Sequence, residues 1–467
     1  MTTMEDDRRP DQDEPLHKRR KLDSAAGVSF ESQPVNSDSR DEGDEEGDEE
    51  KRELGPWETS SNEAVYLKFV NNDMLTGANR KDKWMTEREQ QVFHPEFTYP
   101  IFGMEEVIYG YKDLKIDIHC SASTLYTYLS VTHNGTAEGL TTRKPDDVVS
   151  LLKQYLPPDV TEDLDYFNRR VRADEDCFVP LGEPIGEYLS TEERDVCYEL
   201  YHVTFITPGF VDLHRRLQPF LLFYIEGASY IEETDERWQL VLLYERKSRD
   251  KAKPLYSLVG YMSYYPFFYY TPQALDHQRV RISQFVILPQ FQRRGHGPKL
   301  YEKLYQYFLS QKHIVEITVE DPNEAFQRLR DKRDVIMMLR SRIDPSKYLY
   351  PAASKVNGNE HKESGAQKDA VKELARKLKL NKRQTHRCLE MLQFRTIEER
   401  GISTKEGKKA LAAFRVAVKR RLFRQNEEAL SSMERKKRLE ALDETFDSVM
   451  EEYEAVLERL DPDEMPM

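Results

Sequence analysis

A mixed α/β layer built around a β-α-β crossover is the fold class that the sequence predicts, and three observations predict it. The stretch "RVRISQFVILPQF" reads as a long strand whose Phe285–Leu288 run is continuously apolar, as in a central strand covered on both faces. A Gly-x-Gly turn follows at Gly295 and Gly297, after which Leu300, Leu304 and Phe308 recur at helical spacing. Beyond that helix, "IVEITVEDP" alternates, with Val315, Ile317 and Val319 on one side.

A chain of 467 residues is too long for one compact core, so two or three domains are expected. Hydrophobic residues make up 38% and charged residues 33%, a balance that predicts a soluble protein with a disordered part. No apolar run approaches the roughly 20 residues that span a bilayer. The opening "MTTMEDDRRPDQDEP" is acidic and polar, unlike a secretory signal. Cys120, Cys177, Cys197 and Cys388 are far apart, which argues against a structural zinc site and for reduced thiols in a cytosolic or nuclear protein. The net charge of −14 hides an asymmetry. Residues 1–55 hold 9 Lys/Arg against 18 Asp/Glu, whereas residues 361–440 sum to about +12.

Along the chain, residues 1–55 lack apolar periodicity and contain "DEGDEEGDEEKRE", so they read as a disordered acidic tail. Within them the basic cluster Lys18–Lys21 reads as a nuclear import signal or as a solvated patch. Residues 56–190 read as an N-terminal platform: "AVYLKFV", "VIYGYKDLKIDIHC" and "TLYTYLSVTH" are strand-like, and "KPDDVVSLLKQYL" is a short helix. Residues 191–345 read as helix, strand, strand, strand, helix, strand. The first helix carries Phe210, Leu213, Leu217 and Leu221 and a Pro219 expected to kink it. Residues 346–467 read as helical. Leu439, Leu442, Phe446, Val449, Tyr453, Val456 and Leu460 form a three-heptad seam, suited to docking on the chain's own basic helices.

The turn carries the chemistry. A strand that ends in Gln-Arg-Arg-Gly-His-Gly and opens a helix gathers backbone N–H groups at a positive helix terminus. Gly295 and Gly297 permit close approach of an anion, and Pro298 suits the first helical turn. From the glycines alone, a pyrophosphate site and a tight connection without a ligand stand level. No Walker loop, dinucleotide fingerprint or nucleophile elbow is present. Glu320 ends the last strand on the face opposite Val315, Ile317 and Val319, where a proton acceptor or a solvated charge would sit. "Asp-Pro-Asn-Glu" from Asp321 reads as a helix cap at Asp321.

Gln292-Arg293-Arg294-Gly295-His296-Gly297 resembles the Gln/Arg-x-x-Gly-x-Gly/Ala signature of the GNAT acyltransferases. "RISQFVILPQFQRRGHG", "ITVEDPNEAFQRLRD", "DERW", "VGYMSYY" and "IFGMEEVIYGYKDLKI" together resemble the type B histone acetyltransferase catalytic subunits over roughly residues 60–345. The resemblance implies a GNAT-type mixed sheet with a β-α-β acetyl-CoA-binding core, an α+β N-terminal domain and a helical C-terminal domain. It implies acetyl-CoA as co-substrate and no metal. Phe285, Val286 and Ile287 would meet the pantetheine arm. Gln292, Arg293, Arg294, Gly295, His296, Gly297 and Pro298 would hold the pyrophosphate, and Asn323 would contact the coenzyme. Arg293 and Arg294 stand where smaller or neutral residues occur in some members.

The general base implied by the resemblance is Glu320, with Glu226 and Asp321 as assisting carboxylates. Met104, Glu105 and Glu106 would touch the substrate, Met104 replacing a residue that is often acidic, and Tyr265, Pro266 and Phe267 would form an aromatic wall. The implied substrate is the tail of free, newly made histone H4, accompanied by H3 and delivered with a WD40-type histone-binding subunit, in nucleus and cytoplasm. Three other readings remain: a GNAT enzyme for small amines, a non-catalytic histone chaperone, and a nucleic-acid surface on the basic helices. The last lacks a recognisable binding module, so direct nucleic-acid binding is not expected.

Overall fold

A computed structural model describes residues 53–76, 91–248, 253–272, 274–343, 348 and 365–460. The acidic tail to residue 52 and the basic cluster Lys18–Lys21 lie outside the described residues.

Between residues 58 and 136 the chain forms β1 (Glu58–Ser60), β2 (Val65–Val70), β3 (Val107–Tyr109), β4 (Tyr111–Lys112), β5 (Lys115–Ser121), β6 (Thr127–Thr132) and β7 (Gly135–Thr136). β2, β5 and β6 make one sheet; β1 pairs with β3 and β4 with β7. Alternation decides the inner face: Ile116, Ile118 and Cys120 are buried, and Asp117 and His119 between them are half-buried. Helices α1 (Ser61–Ala64), α2 (Asn72–Thr76), α3 (Tyr99–Phe102) and α4 (Val148–Lys153) fill the connections. The predicted short helix is α4, capped by Asp147, whose Oδ1 accepts from the Ser150 N–H at 3.1 Å. Helix α5 (Leu164–Cys177) escapes the sequence reading because, among its described side chains, Phe167 and Val171 are the apolar ones buried, against Val70 and Tyr126.

The main sheet holds β8 (Glu183–Leu189), β9 (Val196–Thr204), β10 (Gln239–Lys247), β11 (Leu255–Phe268), β12 (Gln278–Ile287) and β13 (Ile314–Val319), in the order β13-β12-β11-β10-β9-β8. Every pairing is antiparallel except β12–β13, which is parallel and spanned by α7 (His296–Ser310), while α6 (Phe210–Tyr224) links β9 to β10. The crossover therefore exists, but at one edge of the sheet and not at its centre. β8 corrects the expected boundary at 190, since Glu183–Leu189 pairs with β9 and belongs to this sheet. It is an edge strand with no buried side chain, so it lacks an apolar signature. α6 runs through Pro219 as one helix, held by buried Phe210, Leu213, Leu217 and Leu221.

Helices α8 (Glu324–Arg340), α9 (Gly365–Leu378), α10 (Lys382–Glu399), α11 (Lys405–Gln425), α12 (Glu427–Ser431) and α13 (Arg435–Glu458) complete the chain. From Leu54 onward the molecule clusters as one unit, with a hydrophobic core continuous from Ala64 to Leu460. No described helix is long and apolar enough to cross a membrane. The α13 seam docks within the chain, against α8, α10 and α11, as expected. Phe446, Tyr453, Val456 and Leu460 are buried, whereas Leu439 is 52% exposed and stands outside the seam.

A buried charge cluster locks this packing. The Arg421 Nε and Nη2 atoms donate to the two Glu390 oxygens at 2.8 and 2.7 Å, and the Tyr453 hydroxyl donates to Glu390 Oε2 at 2.8 Å. Glu390 is 1% exposed, so removing it leaves the mostly buried Arg421 guanidinium without its carboxylate, with only Gln425 and the Tyr453 hydroxyl beside it among the described residues. Glu390→Ala is expected to cost about 3–5 kcal/mol of stability, read from urea unfolding. A loss under about 1 kcal/mol would show that the pair is solvated.

Candidate active site

The site begins where two strands part. β13 pairs with β12 only from Gln278 to Ile282, and the Glu320 N–H closes the ladder on the Ile282 carbonyl at 2.9 Å. β12 continues through Ser283–Ile287 paired to β11 alone. A bulge interrupts the β11 register near Ser263, whose Oγ accepts from the Gln284 N–H at 3.0 Å. Beyond it, the Leu288 N–H donates to the Val259 carbonyl at 2.8 Å, which fixes the antiparallel alternation. Val286 therefore faces β11, and the main-chain groups of Phe285 and Ile287 face the gap. This corrects two expectations. Val286 offers no free main chain to a ligand, and Phe285 and Ile287 are half-buried beside an opening, not doubly covered.

The turn closes one end of the gap. The Gln292 Nε2 group donates to the Ile287 carbonyl at 2.9 Å and ties the turn to the strand end. Arg293 (φ 58°) and Gly295 (φ 79°) are both left-handed, and Gly295 caps α7. The His296 and Gly297 amides lie in the first helical turn, where no intrahelical acceptor exists, and Pro298 follows in the same turn. A Cβ on Gly297 would lie 3.2 Å from Leu329 Cδ1, 3.8 Å from Phe285 and 3.9 Å from Ile287, so the bare glycine keeps the gap between β12 and α8 open. These groups fit an anion with an extended arm. Arg294 lies over the Phe291 ring at 5.7 Å and 3.9 Å from Glu192; Arg293 is exposed.

The His296 side chain points away from the cradle. Its Nδ1 lies 2.9 Å from the Tyr188 hydroxyl and its ring 4.5 Å from Tyr198. Burial, aided by Arg294, pushes its pKa down to about 4, so the ring is neutral at pH 7 and only its main-chain amide serves an anion. A depressed folded-state value means stability is retained above the unfolded value near 6.5 and falls as the pH drops from there toward 4. Wild type should therefore lose more stability across that window than His296→Gln, measured as urea midpoints. Parallel pH profiles would refute the assignment.

Asn323, not Asp321, caps α8: its Oδ1 accepts from the Phe326 N–H at 2.9 Å. Pro322 precedes the cap, and Asp321 sits exposed in the turn with φ 27°. Asn323 keeps its side-chain NH2 as the group available to a ligand.

Glu320 stands where the strands separate. Ser283 Oγ donates to its Oε2 at 2.6 Å, and Arg281 Nη1 lies 3.5 Å from its Oε1. The Arg281 guanidinium lies over the Phe267 ring at 4.6 Å, and Arg281 pairs in register with Tyr265. Tyr265 donates its hydroxyl to Asp235 Oδ2 at 2.9 Å and is flanked by Arg237 and Trp238. The Arg237 and Tyr265 hydrogen bonds hold the Asp235 carboxyl down to about 2. Pro266 pairs with Val280 and so belongs to the opposite face from Tyr265 and Phe267.

Ser283 and Arg281 escaped the sequence reading, and Asp235, Arg237 and Trp238 entered it only through the "DERW" resemblance, with no role in the site. For Ser283 and Arg281, the available signal was their two-residue spacing on the strand beside Glu320.

Glu226 is exposed just beyond α6, in a loop held from two sides. The Gly227 N–H donates to the Tyr99 hydroxyl at 2.7 Å, and Gln284 Nε2 donates to the Ser229 carbonyl at 3.1 Å. Met104, 82% exposed, and Glu105 are on the surface. Glu106 is a correction. Its Oε1 accepts from the Thr98 and Tyr99 N–H groups at 2.6 and 3.0 Å, and its Oε2 from Asn62 Nδ2 at 2.6 Å. Its carboxylate is committed to the first turn of α3 and is not a free substrate contact.

Residues 57–226 match the family described as "Histone acetyl transferase HAT1 N-terminus", and residues 211–332 match the acetyltransferase (GNAT) family. The chain is 37% identical over 431 residues to the histone acetyltransferase type B catalytic subunit of Cryptococcus neoformans var. neoformans, covering 86% of this chain and 98% of that one. The chain belongs to the histone acetyltransferase type B catalytic subunit family. The Mycosarcoma maydis member is 36% identical over 388 residues, covering 77% of this chain and 82% of its own. The human member is 29% identical over 435 residues, covering 88% and 95%. As a member of this family with a GNAT domain, the protein is an acyltransferase, and the GNAT fold implies acetyl-CoA as its co-substrate. The overlap of the two family matches, residues 211–226, falls on α6 and the Glu226 loop, where the N-terminal module meets the main sheet.

Proposed function

We propose that this type B subunit acetylates lysines in the N-terminal tail of free, newly synthesised histone H4 before chromatin deposition. H4 would arrive with H3 and a WD40-type histone-binding subunit, and the enzyme would work in nucleus and cytoplasm. The observation that carries the reading is Glu320, held by Ser283 where β12 and β13 part, on the same face as the Tyr265–Phe267 wall. Bound acetyl-CoA supplies the acetyl group as an activated thioester. The His296 and Gly297 amides hold its pyrophosphate, the Phe285 and Ile287 main chain its pantetheine arm, and Asn323 adds a side-chain donor. A lysine ammonium, with a pKa near 10.4, needs to lose a proton before it can attack. Glu320 accepts that proton directly or through water, and Glu226 and Asp321 add negative charge. Carboxylates beside an aromatic wall suit a flexible cationic peptide.

The test is kinetic. The protein should acetylate an H4 tail peptide with a kcat/KM at least ~10²-fold above that for spermidine. Equal values would favour a small-amine enzyme.

A further inference from the structure

Three arginines stand on the aromatic wall beside Glu320. Tyr265 and Phe267 of β11 and Tyr269 just after it recur every second residue, and each carries a guanidinium over its ring: Arg237 at 4.8 Å, Arg281 at 4.6 Å and Arg279 at 5.1 Å. Each arginine also has a carboxylate neighbour, but the three are not equivalent. Arg237 donates twice to Asp235, from Nε and Nη2 at 2.9 Å each, and Arg279 is ion-paired with Glu316. Arg281 makes no hydrogen bond among the described residues, and its Nη1 stands 3.5 Å from Glu320 Oε1.

A cation held by stacking therefore sits next to the group assigned to take the lysine proton. Ser283 donates to Glu320 Oε2, and Oε1 accepts no hydrogen bond among the described residues. An amine at hydrogen-bond distance from Oε1, about 2.8 Å, lies within about 6 Å of Arg281 Nη1. At that separation, in a partly exposed site, like charges repel enough to shift an equilibrium about 3- to 10-fold. A lysine must be uncharged to attack, so the repulsion falls on the unreactive ammonium and spares the free amine.

Resting on the lysine acetylation proposed above, we infer that Arg281 is a further residue of the reaction: its guanidinium, held on Phe267 beside Glu320, disfavours the ammonium form of the incoming lysine and raises the share of free amine. Arg281 itself takes no proton and forms no bond. The ammonium proton goes to Glu320, the amine nitrogen attacks the thioester carbonyl, and the carbon–sulfur bond breaks to release coenzyme A. By linkage, the repulsion weakens binding of the ammonium form by the same factor by which it enriches the free amine in the complex. The two effects cancel in kcat/KM and show separately in kcat and in KM. The other charged groups around Arg281 are Glu316 and Glu320 on β13, Asp321 beyond it, Asp235 beside Tyr265, and the cations Arg237 and Arg279; none of these types ordinarily titrates between pH 7 and 10. The Tyr265 hydroxyl is pushed above its ordinary value by burial and by its bond to Asp235.

Arg281→Gln, which keeps a polar side chain beside Glu320, is tested in the full-length protein with initial rates on an H4 tail peptide. At pH 7, kcat and the peptide KM should both fall about 3- to 10-fold, with kcat/KM unchanged. Both differences should shrink at high salt and as the pH rises toward the lysine value near 10.4. Arg281→Lys, which restores a cation over Phe267, should lie nearer wild type. A peptide with norleucine in place of the acetylated lysine carries no charge there and should inhibit wild type and Arg281→Gln equally. Coenzyme A affinity should be the same in all three proteins, which checks the fold. An unchanged or raised peptide KM, or a norleucine peptide whose affinity shifts as the lysine peptide does, overturns the proposal. If Glu320→Gln is impaired in the same assay, the base assignment then stands without Arg281. No acetylation of the tail peptide by wild type overturns the H4 reading instead, and the comparison is then made on the free histone that is labelled.

Discussion

Glu320→Gln lowers turnover at pH 7 by about 10²–10⁴-fold and leaves coenzyme A affinity unchanged, if Glu320 is the general base. The substitution keeps the shape and an acceptor for the Ser283 hydroxyl, so the local hydrogen bond survives. The Arg281 contact, at 3.5 Å between side chains each 42% exposed, adds little to stability. The lost property is proton acceptance. The free fraction of a lysine amine rises about tenfold per pH unit below its pKa near 10.4, so the variant's activity recovers partly as pH rises. Glu226→Gln, measured alone and in combination, tests for sharing. Modest single losses with a much larger combined loss indicate two cooperating carboxylates. Full turnover of Glu320→Gln at pH 7 would show that another group takes the proton.

Gly297→Glu weakens coenzyme A binding by at least ~30-fold, about 2 kcal/mol, while the fold survives. The new Cβ starts 3.2 Å from Leu329 and the side chain continues into the gap between β12 and α8. Its carboxylate competes with the pyrophosphate for the His296 and Gly297 amides. Gly297→Ala separates the effects, because a bare methyl asks only a small shift of the flexible Leu329 terminus. It should bind within a few-fold of wild type. Calorimetric titration with coenzyme A reads both. Unchanged affinity of the glutamate variant would remove the anion cradle from this turn.

The β12–α7–β13 unit was legible because its signals are local: an apolar strand, two glycines one residue apart, and leucines at helical spacing. Other features depend on contacts distant in the chain. The bulge opposite Ser263 reverses which backbone groups face the gap, so Val286 could not be separated from its neighbours by inspection. Glu106 caps a turn eight residues upstream, a contact that adjacent residues in "MEE" do not reveal, so the resemblance alone placed it at the substrate. Asp321 and Asn323 are equally good caps by residue type, and only the helix start at Glu324 decides between them. β8 has no buried side chain and offered no apolar pattern. Alternation places Glu320 opposite Ile317 and Val319 but fails at Val315, where the β12–β13 register is irregular, and the partners Ser283 and Arg281 come from the neighbouring strand.

The most direct measurement is a map of acetylation sites by mass spectrometry after incubation with acetyl-CoA and separate free core histones. The expected result is acetyl-lysine concentrated in the H4 N-terminal tail with wild type, and strongly reduced with Glu320→Gln. Equal labelling of all four histones, or no H4 labelling by active enzyme, would contradict it.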